Sequence, residues 1–396
     1  MAALDHHPGD ALLQRADGRA PQETAGASRP GAVGARVPQS STSARAESAA
    51  ALWSRRALSL SVLGLVAALG VVGAPLWLGC ALALDLAARQ VRKRPRTRAL
   101  GFFSLYLACE VGGVLAAALL WLGTMGGRLG GPTRFVAANA ALQRVWSHAI
   151  FRGGTWLFAM RVEVEGLELA RRGPLLLLVR HSSVADTVLA AALVANPNRL
   201  LLRYVLKREL LWDPCLDIVG RRLPNAFVDR HAGRHAGRAR GEVEAIARLA
   251  VGLDSGSAVL IYPEGTRFSQ RKLERGVEAL RAGGQSTLAG IAAGFRHVLP
   301  PRLGGPLALL EAAPGVDVVI VEHTGFEGAA TFASFWAGGL VGRTVRVRLR
   351  RIGAESLPTR DRDRWLFERW AEVDRWIDAH GDRSASAADP GAASAP

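Results

Sequence analysis

The chain has 396 residues, 49% of them hydrophobic, with 50 basic against 34 acidic side chains and a formal net charge of +16. That length leaves room for a core large enough to bury an active site, and the basic excess suits a polyanionic partner: nucleic acid, an anionic membrane surface or a phosphorylated substrate. Cys80, Cys109 and Cys215 are the only cysteines and lack any paired spacing, so neither a disulfide framework nor a zinc site is implied.

Residues 1–50 are rich in Ala, Gly, Ser, Pro and Arg without an apolar period, which predicts a disordered tail. Ala57 to Leu84 then carries no charged residue. As a helix that run is about 42 Å long, more than the hydrocarbon thickness of a bilayer. A second apolar run, Leu100 to Gly127, is broken only by Glu110. It predicts a helix too, but an unpaired carboxylate at bilayer depth is costly, so a full crossing is less secure. Both runs are too long for a cleaved signal peptide. Arg89, Arg92, Lys93, Arg94, Arg96 and Arg98 lie between them, where lipid headgroups are their natural partners. A membrane module over 51–130 follows, and it removes nucleic acid from the set of partners.

From 150 to 380, strand-like runs alternate with longer mixed segments. Leu175 to Val179, Leu200 to Leu206, Ala258 to Tyr262, Val316 to Val321 and the alternating Val345, Val347, Leu349 read as strands. Thr187 to Val194, Glu242 to Leu253 and Thr287 to Phe295 read as helices. The alternation predicts an α/β domain. Leu366, Trp370, Val373 and Ile377 mark one face of an amphipathic helix that packs on it. Residues 381–396 form a second small, polar tail.

Two constellations carry chemistry. His181-Ser-Ser-Val-Ala-Asp186 follows the run Leu175 to Val179. A spacing of five turns an ideal helix by about 140°, so the two side chains meet only if His181 lies in the turn before a helix and Asp186 one turn in. There the carboxylate holds one imidazole nitrogen protonated and leaves the other free to take a proton from an alcohol. Such spacing is common by itself, but the C-terminal end of a strand is where α/β folds place active sites. The second constellation, Tyr262-Pro263-Glu264-Gly265-Thr266-Arg267, also follows a strand. Gly265 permits close backbone approach, and Arg267 offers a two-pronged donor to phosphate. Between them, Asp229 and Arg230 end a short apolar pair, and Arg230 is a second phosphate candidate. His231 and His235, four apart in a Gly- and Arg-rich stretch, lack a third ligand and read as a solvated basic loop rather than a metal pair. His297 and His323 receive no role.

In this order the motifs resemble the glycerolipid acyltransferase family, above all the 1-acylglycerol-3-phosphate O-acyltransferases and related lysophospholipid acyltransferases. His181 to Asp186 matches the family's HxxxxD, Phe227 to Arg230 its second block, Glu264 to Arg267 its EGTR block, and Val298-Leu-Pro-Pro-Arg302 its fourth. Two positions depart from the common pattern, where Arg180 and Thr187 replace Asn and Trp. The resemblance implies a mixed sheet flanked by helices behind an N-terminal pair of membrane helices. It implies direct transfer from acyl-CoA or acyl carrier protein to the hydroxyl of a lysophospholipid, most simply 1-acyl-sn-glycerol-3-phosphate, with no metal or further cofactor. His181 would be the general base, Asp186 its orienting partner, Arg230 and Arg267 the phosphate ligands, and Glu264, Gly265 and Thr266 parts of the substrate pocket. Lysocardiolipin-type, lysophosphatidylinositol-type and glycerol-3-phosphate acceptors remain open. The setting it implies is a bacterial inner membrane with the catalytic domain on the cytoplasmic side. A serine hydrolase is disfavoured by the absence of GxSxG, and a non-catalytic membrane scaffold would leave His181 and Asp186 dispensable.

Overall fold

A computed structural model describes residues 41–42, 47–229 and 236–381. Nearly all of the two expected tails therefore lies outside the described residues, as do Arg230, His231 and His235.

Among the described residues eight strands form one sheet in the order β1-β5-β4-β6-β3-β7-β8-β2. They are β1 (Ser41–Thr42), β2 (Arg161–Glu165), β3 (Leu175–Val179), β4 (Leu201–Lys207), β5 (Ala226–Val228), β6 (Ser257–Ile261), β7 (Asp317–Thr324) and β8 (Thr344–Ile352). Only the β7–β8 pairing is antiparallel, giving the expected mixed sheet. In the centre Leu178 is in register with both Ile261 and Ile320, so the C-terminal ends of parallel β3, β6 and β7 emerge together.

Because strand side chains alternate faces, the continuously apolar β3 fills two cores. Leu176 and Leu178 face the layer built from α6 (Ala236–Leu249), α7 (Gln270–Ala282), α8 (Ser286–Ala292), α9 (Gly304–Ala312) and α11 (Arg362–His380). Leu175, Leu177 and Val179 face the other layer, with Leu189 to Ala195, Phe158, Phe326 and Leu340. The predicted stripe Leu366, Trp370, Val373 and Ile377 is buried in the first core, so α11 packs on the domain.

Both apolar runs are helices, α1 (Ala49–Ala87) and α2 (Pro95–Gly123), each long and apolar enough to cross a membrane. A third long helix, α3 (Gly131–Leu157), fills the stretch between the two predicted modules. It starts at Gly130-Gly131-Pro132, with both glycines at positive φ and proline in the first turn.

The two apolar helices differ in attachment. One stripe of α2 lies along the domain. Arg98 donates to the Leu157 carbonyl, Phe102 packs on Phe158 and Phe335, and the Tyr106 hydroxyl donates to Asp213 Oδ2 at 2.7 Å. Glu110 Oε1 accepts from Trp146 Nε1 at 3.1 Å, and the Ala117 carbonyl accepts from Arg222 at 2.9 Å. Glu110 therefore faces protein, buried, and not lipid. By contrast α1 packs on α2 and is tied down mainly near its ends. At its start Arg55, Arg56 and Arg221 surround buried Asp217 at 3.1, 2.6 and 2.7 Å. At its finish buried Asp85 accepts from the backbone N–H groups of Arg96 and Thr97 at 3.3 and 3.0 Å, a carboxylate cap on the first turn of α2. Between those ends α1 exposes Leu58, Val62, Leu65, Leu69, Val72 and Leu76, with Val72 as much as 83% accessible.

Candidate active site

At the C-terminal end of β3 the chain turns sharply before a 3₁₀ turn, Ala185–Val188. This places His181 and Asp186 as the spacing required, one in the turn and one inside the following helical residues. His181 Nδ1 lies 2.8 Å from Asp186 Oδ1. The other oxygen, Oδ2, accepts from the backbone N–H groups of Ser182 and Ser183 at 2.6 and 2.8 Å and from the Ser182 hydroxyl at 3.2 Å. Asp186 is fully buried. Burial alone would raise its pKa, but the hydrogen bond and charge of His181, the nearby His323 and the Ser183 N–H outweigh it and hold the carboxyl below the usual range. With Oδ1 an acceptor, Nδ1 carries the proton and Nε2 offers a lone pair. The imidazole retains a small opening to solvent, 13% of its side-chain surface, and Nε2 has no partner among the described residues.

Two further contacts fix the ring. Tyr262 packs against it with centroids 4.6 Å apart. Glu264 holds the backbone, Oε1 accepting from His181 N–H at 3.0 Å while Oε2 accepts from Leu299 N–H at 2.9 Å. One buried carboxyl thus joins the HxxxxD turn, the EGTR turn and the fourth block. Burial pushes Glu264 up to about 7, and the charge of Arg180 and those two N–H groups limit the rise.

The remaining EGTR residues form the rim. Gly265 has φ of +67°, a left-handed conformation that favours glycine, and its N–H closes a turn onto the Tyr262 carbonyl at 2.9 Å. Thr266 Oγ1 accepts from Lys272 Nζ at 3.1 Å, and the same ammonium donates to the Arg267 carbonyl at 2.9 Å. The Arg267 guanidinium makes one long bond, 3.3 Å to the Ala330 carbonyl, and stays partly accessible. The structure therefore gathers His181, Asp186, Glu264, Gly265, Thr266 and Arg267 into one loop cluster. Arg230 lies just beyond Asp229, outside the described residues.

Three supporting residues escaped the sequence reading. Arg180, noted only as a departure, is buried and donates to the His323 carbonyl at 2.7 Å, Glu327 Oε1 at 2.6 Å and the His297 carbonyl at 3.1 Å. His323, at the end of β7, donates from Nε2 to the Arg180 carbonyl at 2.9 Å, with Asp186 Oδ2 3.6 Å away. Burial lowers its pKa from the ordinary imidazole value. Asp374 on α11 accepts from the backbone N–H groups of Arg296, His297 and Val298, steadying the loop before the fourth block. A pattern search finds none of them, because each lies outside a chemical motif and its role comes from tertiary placement. Among the described residues no cluster of His, Cys, Asp and Glu could hold a metal ion.

Residues 161–297 match the model of the acyltransferase family. The matched segment contains the HxxxxD turn, the second block and the EGTR turn. Among solved structures, the 1-acyl-sn-glycerophosphate (LPA) acyltransferase PlsC from Thermotoga maritima is similar over 74% of this chain and 97% of its own, with a TM-score of 0.48 and 17% identity. No curated protein matches the sequence.

Proposed function

We propose that this chain, whose residues 161–297 match the model of the acyltransferase family, transfers a fatty acyl group from a thioester donor to the free hydroxyl of a lysophospholipid, with 1-acyl-sn-glycerol-3-phosphate as acceptor and phosphatidic acid as product. The observation that carries the reading is the contact of 2.8 Å between His181 Nδ1 and a fully buried Asp186, set in the turn that Glu264 ties to the EGTR block. In that arrangement Nε2 takes the proton of the acceptor hydroxyl as its oxygen attacks the thioester carbonyl. The tetrahedral species collapses with rupture of the C–S bond, and the imidazolium returns the proton to the leaving thiolate. Asp186 keeps the tautomer that leaves Nε2 basic and stabilises the transient imidazolium. Arg267, with Arg230, supplies cations for the acceptor phosphate. The donor is acyl-CoA or acyl carrier protein.

The helix pair supports a membrane setting. Because α2 lies along the flank of the domain and α1 exposes its apolar side chains, immersion of the pair in one leaflet brings the loop cluster to the lipid surface where the acceptor resides. The thioester donors are cytoplasmic, so the domain and the basic connector face the cytoplasm. Purified protein given acyl-CoA and a panel of lysolipids, with products read by mass spectrometry, tests the reaction. Acyl transfer to lysophosphatidic acid above the other acceptors is expected, whereas free fatty acid alone, or no product from any lysolipid, would overturn it.

A further inference from the structure

Arg302, the last residue of the fourth block, has no part in the chemistry so far. The loop that carries it is held at three points. Arg302 N–H donates to the Pro263 carbonyl at 2.8 Å, Leu299 N–H to Glu264, and Val298 N–H to Asp374. The side chain then lies over Gly265, where an added methyl group would stand 2.8 Å from Arg302 Cδ, 2.9 Å from Nε and 3.5 Å from Cζ. Gly265 thus has a second reason to be glycine besides its positive φ, since any side chain would displace the arginine.

The charge itself is unspent. Arg302 is exposed, and among the described residues its guanidinium makes no hydrogen bond or ion pair. The neighbouring carboxyl, Glu264, directs both oxygens to backbone N–H groups and is not available to it. The contrast with Arg180 is instructive, since that side chain is buried and satisfied by three acceptors. A cation on a braced loop, laid across the turn that holds the histidine and left without a counter-ion, is built to receive an anion that arrives with the substrate.

We infer that Arg302 is a phosphate-binding residue of the active site, its planar fork engaging a phosphate monoester on a substrate beside Arg267. This rests on the acyl-transfer reading for the identity of the substrates, which offer two sources of such a group: the glycerol phosphate of the acceptor and the phosphates of coenzyme A. Direct binding separates this inference from the reaction. The probes are lysophosphatidic acid, its phosphate-free counterpart monoacylglycerol, and coenzyme A, each titrated by calorimetry into detergent-solubilised wild type, Arg302→Gln and Arg302→Lys. Circular dichroism verifies the fold.

Loss of one charge-assisted contact is expected to weaken one phosphate-bearing probe by about tenfold or more in Arg302→Gln. Arg302→Lys should recover part of it, and monoacylglycerol should bind all three proteins alike. A loss confined to lysophosphatidic acid assigns Arg302 to the acceptor; one confined to coenzyme A assigns it to the donor. Equal affinities of wild type and Arg302→Gln for both phosphate probes would overturn the inference even if acyl transfer is observed. If affinity depends on Arg302 but no lysolipid is acylated, the inference stands and the proposed reaction falls.

Discussion

The loop cluster at the strand ends and the α1–α2 pair are fastened in opposite ways. In the loop cluster three buried polar groups are bonded to segments far away in sequence. Glu264 spans positions 181 and 299, Arg180 spans 297, 323 and 327, and Asp374 reaches 296 to 298. In the helix pair the polar contacts gather at the ends of α1 and along the inward stripe of α2, and the outward surface is apolar. Cross-bracing by distant segments holds one imidazole in one orientation. End-fastening holds a helix against the domain while leaving its flank available to lipid. Chemistry should therefore fail on single changes in the first region, and the second should absorb them.

The largest effect falls on transfer itself. His181→Ala removes the proposed general base and should lower the rate by a factor of about 100 to 10,000, with Asp186→Asn also strongly impaired, in protein that remains folded. A steady-state assay in which His181→Ala kept more than about a tenth of the wild-type rate would remove the base from the mechanism.

The two regions should also differ in stability. Arg180→Ala strips a buried cation from Glu327 and from two carbonyls. The cost should be about 3 kcal/mol, toward the lower end for broken buried pairs because Glu327 keeps a third of its side-chain surface in water. Arg56→Ala, by contrast, leaves Asp217 with Arg55 and Arg221 and should cost about 1 kcal/mol or less. Thermal unfolding in detergent distinguishes these outcomes, and equal losses would erase the distinction between the two regions.

Glu264 adds a pH signature. Its folded-state pKa stands above the ordinary 4.5, at about 7, so the folded state holds a proton that the unfolded state gives up across that window. Stability should therefore decline as pH rises from 4.5 toward 7, by on the order of 3 kcal/mol from this group. Asp186 acts with the opposite sign and at lower pH, its contribution being lost only as pH falls below the ordinary carboxylate value. The midpoint of unfolding followed from pH 4.5 to 8 should slope downward in wild type and be flatter in Glu264→Gln. Parallel curves would show that Glu264 titrates as it would in water.

How much of this could be read from the residues depended on the range of the interaction. The period of two in Val345, Val347 and Leu349 and the stripe from Leu366 to Ile377 are local patterns, and both elements stand where those patterns placed them. The meeting of His181 and Asp186 followed from a spacing of five and one turn of backbone. The bracing by Arg180, His323 and Asp374 was illegible, because it depends on the ends of β3 and β7 emerging together and on where α11 docks. Glu110 alone set α2 apart from α1 in the sequence, and what that stripe of α2 faces was not legible. Both are apolar runs, but the stripe of Tyr106, Glu110 and Ala117 finds its partners on α3, on α5 (Pro214–Gly220) and in the residues flanking α5.

That difference between the helices yields the smallest perturbation and the most direct test of the second region. If α1 and α2 both crossed completely, the connector would emerge on the far side of the membrane. Its exposed Arg89, Arg92, Lys93 and Arg94 would lie outside, against the positive-inside tendency of short loops. The stripe of α2 that holds Asp213 and Arg222 would also have to leave the domain or draw it into the bilayer. Immersion in one leaflet avoids both costs, and the exposed cations then meet anionic headgroups on the cytoplasmic face. Thr97 is a poor reporter, because its hydroxyl and N–H both bond Asp85. Arg92 is exposed and lies between the two helices. Arg92→Cys, in a variant whose three native cysteines are replaced, should leave transfer unchanged within a factor of about two, as expected for a surface site. In cells with an intact inner membrane the thiol should resist an impermeant maleimide until lysis. Ready labelling from outside would establish two full crossings and detach the α2 contacts from the membrane-bound state.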